Sequence, residues 1–369
     1  MTDALFVTVD GGGNLPPALG VAAEIVRRGG TARFLGNRVQ ANRIETAGFS
    51  FRAFERGMDY DGSKPRSALK AIRDLTRLFA DRGIAQDAIA AASEQHTDAV
   101  IVDTLCYGAL AGTVEAGLPV VQLMHCFSGY LARNARGPIG MVSRMRGVGA
   151  SAAIAAPSLT LVTSRAEFDR DAMAGVRHTG FVWQGRPIAA IPRQTPRILV
   201  SFSTVAFPGQ REALQHTIEA LGALDAEVVV TTGPSIDPDT IRPAANSTIH
   251  RFVDHGDLMP ETSLVIGHGG LSTTSRALSY GIPVLVIPMH PMMDQPDVGR
   301  AVTEIGVGLT IPKTSPIARI CTAAERLLTD QRIRSAAAAL GRDIRSGDGA
   351  AVATDLIEQL ADSRSPATG

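Results

Sequence analysis

This chain has no excess of either charge. Lys+Arg and Asp+Glu number 36 each among 369 residues, so no net field draws a polyanion, and nucleic acid is excluded as a partner on electrostatic grounds. Cysteine is scarce. Cys106, Cys126 and Cys321 cannot make a disulfide framework, and no pair has the spacing of a zinc site. They are expected as buried small side chains of a reducing compartment. No apolar run approaches the roughly 18 residues that span a bilayer, and no basic stretch followed by an apolar one opens the chain. The expectation is a cytoplasmic protein without a membrane partner.

What remains is the composition of a globular protein, 45% hydrophobic with 37 Gly and 21 Pro, long enough for two domains. Residues 4–9, ALFVTV, are a short β-branched run that predicts a buried strand. Helical spacing follows over 19–28 and stops at Gly29-Gly30. A strand is expected over 31–36, a single helix over 67–92, a strand over 98–103, a helix over 109–116 and a strand at PVVQLMH. Residues 183–197 hold three prolines and no helical period, which reads as a linker. The pattern then restarts with ILVSFST, a helix over 210–224, EVVVTTG, SLVIGHGG and PVLVIP. Strand–helix alternation implies parallel sheets covered on both faces. The fold class is α/β, with domains over 1–190 and 191–369; a last helix over 350–361 is free to pack back on the first.

Chemistry concentrates in LVIGHGGLSTTSRALSYGIPVLVIPMHPMMDQ. A strand runs into Gly267-His268-Gly269-Gly270, and Ser272 and Thr273 open a helix. Unpaired N–H groups and the positive dipole end suit an anion there, with glycines allowing close approach. Asp294 and Gln295 follow the next strand. In an open parallel sheet the strand ends meet at one edge, and a carboxylate and an amide suit sugar hydroxyls.

In His268, Gly269, Gly270, Thr273, Gly281, Ile282, Pro283, Asp294 and Gln295, this segment resembles the donor signature of nucleotide-sugar glycosyltransferases of the GT-B fold. It looks most like their bacterial, antibiotic-modifying branch, related to the UDP-glycosyltransferases. The resemblance implies two Rossmann-like domains facing across a cleft. It places Ser203, Thr204 and Gly233 near the donor diphosphate and Val253 against the base. It also implies inverting transfer of a sugar from a TDP- or UDP-sugar to a small hydrophobic, aromatic acceptor, without a metal or other cofactor, by a monomer or homodimer.

Two departures stand out. Arg276 occupies a position where many relatives carry a ribose-binding Glu. Asn14 occupies the position of a histidine that takes the acceptor's proton, and an amide is no base near neutral pH. Asn14 suits a helix cap or an acceptor-orienting group. Candidate bases are His125 and Asp103, at neighbouring strand ends, and Asp10, which alternatively holds the glycine loop by a turn. Phe127, Tyr130, Met141 and Met145 are candidates for the acceptor wall. Asp237-Pro238-Asp239 resembles a metal-binding Asp-x-Asp, but a chance match in a turn is the better reading. Two other classes fit more loosely: a catalytically inert sugar-nucleotide-binding partner protein, suggested by Asn14, and a sugar-nucleotide epimerase.

Overall fold

The computed structural model describes residues 1–64, 66–183, 185–191 and 193–364. The chain separates into two compact units. The first comprises Met1–Gly62, Arg66–Gly185 and the segment from Asp348; the second contains Arg186–Gly347. The break therefore falls inside the proline-rich stretch, and the last helix, Gly349–Arg364, belongs to the first unit.

The first unit holds β1 (Asp3–Thr8), β2 (Thr31–Gly36), β3 (Ser50–Ala53), β4 (Ala99–Asp103), β5 (Val120–Met124), β6 (Leu159–Val162) and β7 (Arg177–His178). They form one sheet in the order β3-β2-β1-β4-β5-β6-β7, and every pair is parallel. Successive strand residues enter opposite cores, as a pleat covered on both faces requires. Leu5, Val7, Val100 and Val102 belong to one apolar cluster; Ala4, Phe6, Ala99 and Ile101 belong to the other. That second cluster also takes Leu19, Ala22 and Ile25 from the Leu15–Arg27 helix and Ala353 and Ile357 from the last helix.

The second unit repeats the plan with β8 (Arg197–Ser201), β9 (Glu227–Thr231), β10 (Ser247–His250), β11 (Leu264–Gly267), β12 (Val284–Val286) and β13 (Gly308–Thr310). Their order is β10-β9-β8-β11-β12-β13, again all parallel. In each sheet the winding reverses beside the first strand, between β1 and β4 and between β8 and β11. At such switch points the loops leaving the two strands diverge and open a crevice for ligands.

The helix expected over 67–92 is two helices, Ala68–Phe79 and Arg82–Glu94. Asp81 interrupts it: one carboxylate oxygen accepts from Gly83 N at 2.8 Å, starting the second helix, and the other accepts from Met58 N at 2.6 Å. Cys106 and Cys126 are buried as expected, but Cys321 is only half-buried. Among the described residues no helix is long and apolar enough to cross a membrane.

Candidate active-site residues at the two switch points

In the second unit, register puts Ser201, Gly267 and Val286 side by side at the ends of β8, β11 and β12. Crowding there explains the glycines. A Cβ on Gly267 would lie 2.6 Å from Ser201 O; one on Gly269, at φ +87°, would lie 2.7 Å from Val286 Cγ1. Only glycine lets the chain turn at once into the Leu271–Ser279 helix. A small cavity here is lined by Ser201, His268, Gly269, Gly270 and Thr273.

The residue His268 keeps some open surface, but its ring is deep enough that burial pushes its pKa down to about 4. It is neutral at pH 7. Nδ1 has no hydrogen-bond partner among the described residues. A neutral, unpartnered imidazole at the mouth of a helix is suited to donate to an anionic oxygen.

A chain of side chains runs behind this loop. Thr231 Oγ1 donates to Ser201 Oγ at 2.8 Å and lies 3.4 Å from His255 Nε2. Burial, followed by the charge of Arg276, lowers His255 to about 4, with Asp254 opposing. Arg276 in turn pairs with Asp254 at 3.5 Å and covers Gly256. Sequence reading missed Ser201, Thr231 and His255, because their link joins two strand ends and a helix start far apart in sequence.

Other expected donor residues divide by exposure. Ser272, Thr273, Val253 and Asp294 retain open surface, and Thr204 is exposed beside Gly233. Ser203 is buried, its hydroxyl accepting from Val205 N at 3.0 Å. Gln295 is tied to its own loop through its amide oxygen. Its side chain is buried, and Oε1 accepts from Met289 N at 2.7 Å and His290 N at 3.1 Å. It braces the loop after β12 rather than offering that oxygen to a ligand. Asp237 caps the turn Pro238–Thr240 by accepting from Asp239 N, as a turn residue would.

In the first unit, the switch point collects Asp10, Asn14, Asp103 and, one strand over, His125. Asn14 sits at the cap position of the Leu15–Arg27 helix but makes no side-chain cap bond, which corrects the capping expectation. Its Nδ2 donates to Val9 O at 2.7 Å and to Asp103 Oδ2 at 2.7 Å. Asp103 Oδ1 accepts from Leu105 N at 2.8 Å. His125 Nδ1 lies 3.4 Å from Asp103 Oδ2. Asp10 Oδ2 accepts from Gly62 N at 2.7 Å, and burial is the main cause raising its pKa above the usual carboxylate range.

The acceptor candidates fare unevenly. Phe127 is 2% exposed, which leaves it no face for a ligand and removes it from the set. Tyr130 is half-buried against the core. Met141 and Met145, 62% and 82% exposed, stand one turn apart on the Pro138–Met145 helix.

Residues 215–359 match the family described as erythromycin biosynthesis protein CIII-like, C-terminal domain. Demethyllactenocin mycarosyltransferase of Streptomyces fradiae is 29% identical over 167 residues, 45% of this chain and 36% of that protein. The chain thus matches well under half the length of the first curated relatives. The 4'-demethylrebeccamycin synthase of Lentzea aerocolonigenes is 24% identical over 421 aligned residues, covering 96% of this chain and 99% of that one. The crystal structure of CalG4, the calicheamicin glycosyltransferase, matches with a TM-score of 0.77 at 20% identity, over 99% of this chain and 100% of that one. Glycosyltransferase VinC, in complex with dTDP, matches with a TM-score of 0.75 at 16% identity, over 98% and 100%. The fold is GT-B.

Proposed function

We propose that this chain, a GT-B relative of the bacterial natural-product glycosyltransferases, moves a sugar from a nucleoside diphosphate sugar to a small hydrophobic, aromatic acceptor. The observation carrying this reading is His268, neutral and unpartnered at Nδ1 among glycines, at the start of the Leu271–Ser279 helix. The diphosphate binds there, against the imidazole, the backbone N–H groups that open the helix, and the hydroxyls of Ser272 and Thr273. The charge that develops on the leaving diphosphate in the transition state meets the same donors. This arrangement requires no metal ion and no cofactor beyond the donor.

Asp294 contacts the sugar, and Gln295 holds the loop that presents it. The acceptor hydroxyl attacks the anomeric carbon as the phosphate leaves, which inverts that centre. A dTDP-sugar is the first donor to try, since VinC has been crystallised with dTDP; a UDP-sugar is the second. The exposed pair Met141 and Met145 supplies adaptable apolar surface for the acceptor.

Calorimetry with dTDP and UDP tests the donor site. Losing a hydrogen bond to a charged group costs about 1.5–3 kcal/mol, so His268→Ala should bind roughly tenfold or more weakly. Equal affinity in mutant and parent would reject the assignment. If the nucleotide binds but no acceptor is ever glycosylated, the catalytically inert partner-protein reading replaces this one.

A further inference from the structure

The end of the first sheet holds three polar side chains, at or beyond the ends of the adjacent strands β1, β4 and β5, and their surroundings rank them by role. Asn14 is 2% exposed. Its Nδ2 faces only acceptors, namely Val9 O, Asp103 Oδ2 and, at 3.3 Å, Thr8 Oγ1, which fixes the amide orientation. Its Oδ1 is tucked under Gly11, 3.3 Å from where a Cβ would stand. Asn14 therefore has no basic atom and almost no exposed surface; its buried Oδ1 has no hydrogen-bond partner among the described residues. Asp103 is 7% exposed, with Oδ1 taken by Leu105 N and Oδ2 by Asn14. The His125 side chain, 12% exposed, is the most open of the three, and its Nδ1 is the nitrogen near Asp103 Oδ2.

We propose that His125 takes the proton from the acceptor hydroxyl, with Asp103 as its carboxylate partner and Asn14 as the residue that positions Asp103. The assignment rests on the glycosyltransferase reading above. Asp103 Oδ2 stands 3.4 Å from Nδ1, a contact that would select the tautomer with hydrogen on that nitrogen once it tightens to a hydrogen bond, with Nε2 then acting as the base. It also stabilises the imidazolium that forms. In the step, the acceptor O–H bond breaks and its proton passes to Nε2. The oxygen forms a bond to the anomeric carbon while the bond from that carbon to phosphate oxygen breaks. The electron pair leaves on the nucleoside diphosphate, and His125 later returns the proton to water. Asn14 and Asp103 act through His125. Were the amide lost, Asp103 Oδ2 would be free to turn from the imidazole.

Asp10 is the competing base. Its carboxylate is held by Gly62 N, apart from the hydrogen bonds that join Asn14 to Asp103, so the two assignments predict different mutants.

The test uses the full chain with dTDP-glucose and UDP-glucose as donors and three acceptors of falling acidity: 4-nitrophenol, 2-naphthol and an aliphatic alcohol. Removing a general base costs about 10²–10⁴-fold. His125→Ala and His125→Gln should lose about that in kcat on 2-naphthol, and much less on 4-nitrophenol, with donor KM and dTDP affinity unchanged. Retained dTDP affinity and thermal transition certify folding, and His125→Gln stands in should the alanine variant fail them. Asn14→Asp keeps shape but removes both donors and sets a second carboxylate beside Asp103. It should show the same dependence on acceptor acidity, which a merely structural defect would not, and Asn14→His should recover turnover relative to it. Unimpaired turnover by both His125 variants, with loss in Asp10→Asn, overturns the assignment and leaves the transferase reading standing. Losses independent of acceptor acidity overturn it equally. Absence of turnover by the parent protein with dTDP bound overturns the transferase reading, and this assignment with it.

Discussion

The imidazole of His268 rests on Gly270: a Cβ there would lie 2.7 Å from its Nε2 and 2.8 Å from its Cε1. Gly270 is thus conformationally ordinary, with negative φ at the cap of the Leu271–Ser279 helix, but sterically indispensable to the ring. Gly270→Ala should displace the imidazole while the backbone stays in place. The expected result is a loss of dTDP affinity of about tenfold or more, close to that of His268→Ala, with a small change in thermal stability. Gly267→Ala should differ, because its Cβ would strike the fixed carbonyl of Ser201 and unfolding should come early. Calorimetry paired with thermal melts separates the two; unchanged nucleotide binding in Gly270→Ala would show that ring position is irrelevant.

Two half-buried histidines whose rings are desolvated make stability depend on mild acid. His255 and His268 are each lowered from 6.5 to about 4, by burial in both and also by Arg276 in the first. In that interval the unfolded chain takes up protons that the folded one refuses, so stability falls as pH drops from about 6.5 to 4 and is fully present above it. Each histidine contributes up to about 3 kcal/mol to the total decline across that interval. Glu24 acts in a lower window. Its hydrogen bond to Arg27, together with Arg28, lowers it from 4.5 to about 2, so its contribution is lost only as pH falls below 4.5. Urea titrations at pH 7, 5.5 and 4.5 should show the decline, and His255→Gln with His268→Asn should flatten it. A slope unaltered by both substitutions would place the acid sensitivity elsewhere.

Periodicity and apolar runs made the sheet strands flanking both sites legible, since a parallel strand buried on both faces reads as Val/Ile/Leu without interruption. The motif from Gly267 to Gln295 was legible too, because spacing along one strand–helix–strand unit carries it. The short strands were not. Ser247–His250 and Gly308–Thr310 have half-buried, polar-rich patterns, and pairing with a neighbour, not local sequence, makes them strands. The break at Asp81 depended on Met58, 23 residues earlier. Side-chain roles were the least legible part. Asn14 looked like a cap and serves Asp103, 89 residues away. Gln295 looked like a ligand and serves two backbone N–H groups of its own loop. In both cases the residue type was informative, but the partner that decides its role is supplied by the fold.

Arg28 is the polar half of the attachment of the last helix. Its Nε lies 2.8 Å from Glu24 Oε1; its other nitrogens reach Asp355 at 2.6 Å, Glu358 at 2.8 Å and Ala351 O at 3.2 Å. The apolar half is Ala353 and Ile357, each 0% exposed and packed with the Leu15–Arg27 helix in one cluster. The two halves should fail differently. Exposed pairs contribute about 0–1 kcal/mol each, but Arg28 is largely covered, and losing it leaves Glu24 without its second cation. Arg28→Met should therefore cost about 1–3 kcal/mol, chiefly by letting the Gly349–Arg364 helix open locally. Ile357→Ala removes buried volume and should cost about 2–5 kcal/mol, felt by the whole first unit. Hydrogen exchange distinguishes these outcomes. Arg28→Met should raise exchange across residues 349–364 with little change in β1 and β4, whereas Ile357→Ala should raise it in both. Protection of the last helix unchanged in Arg28→Met would mean that the ion pairs are incidental and the apolar contact alone attaches it.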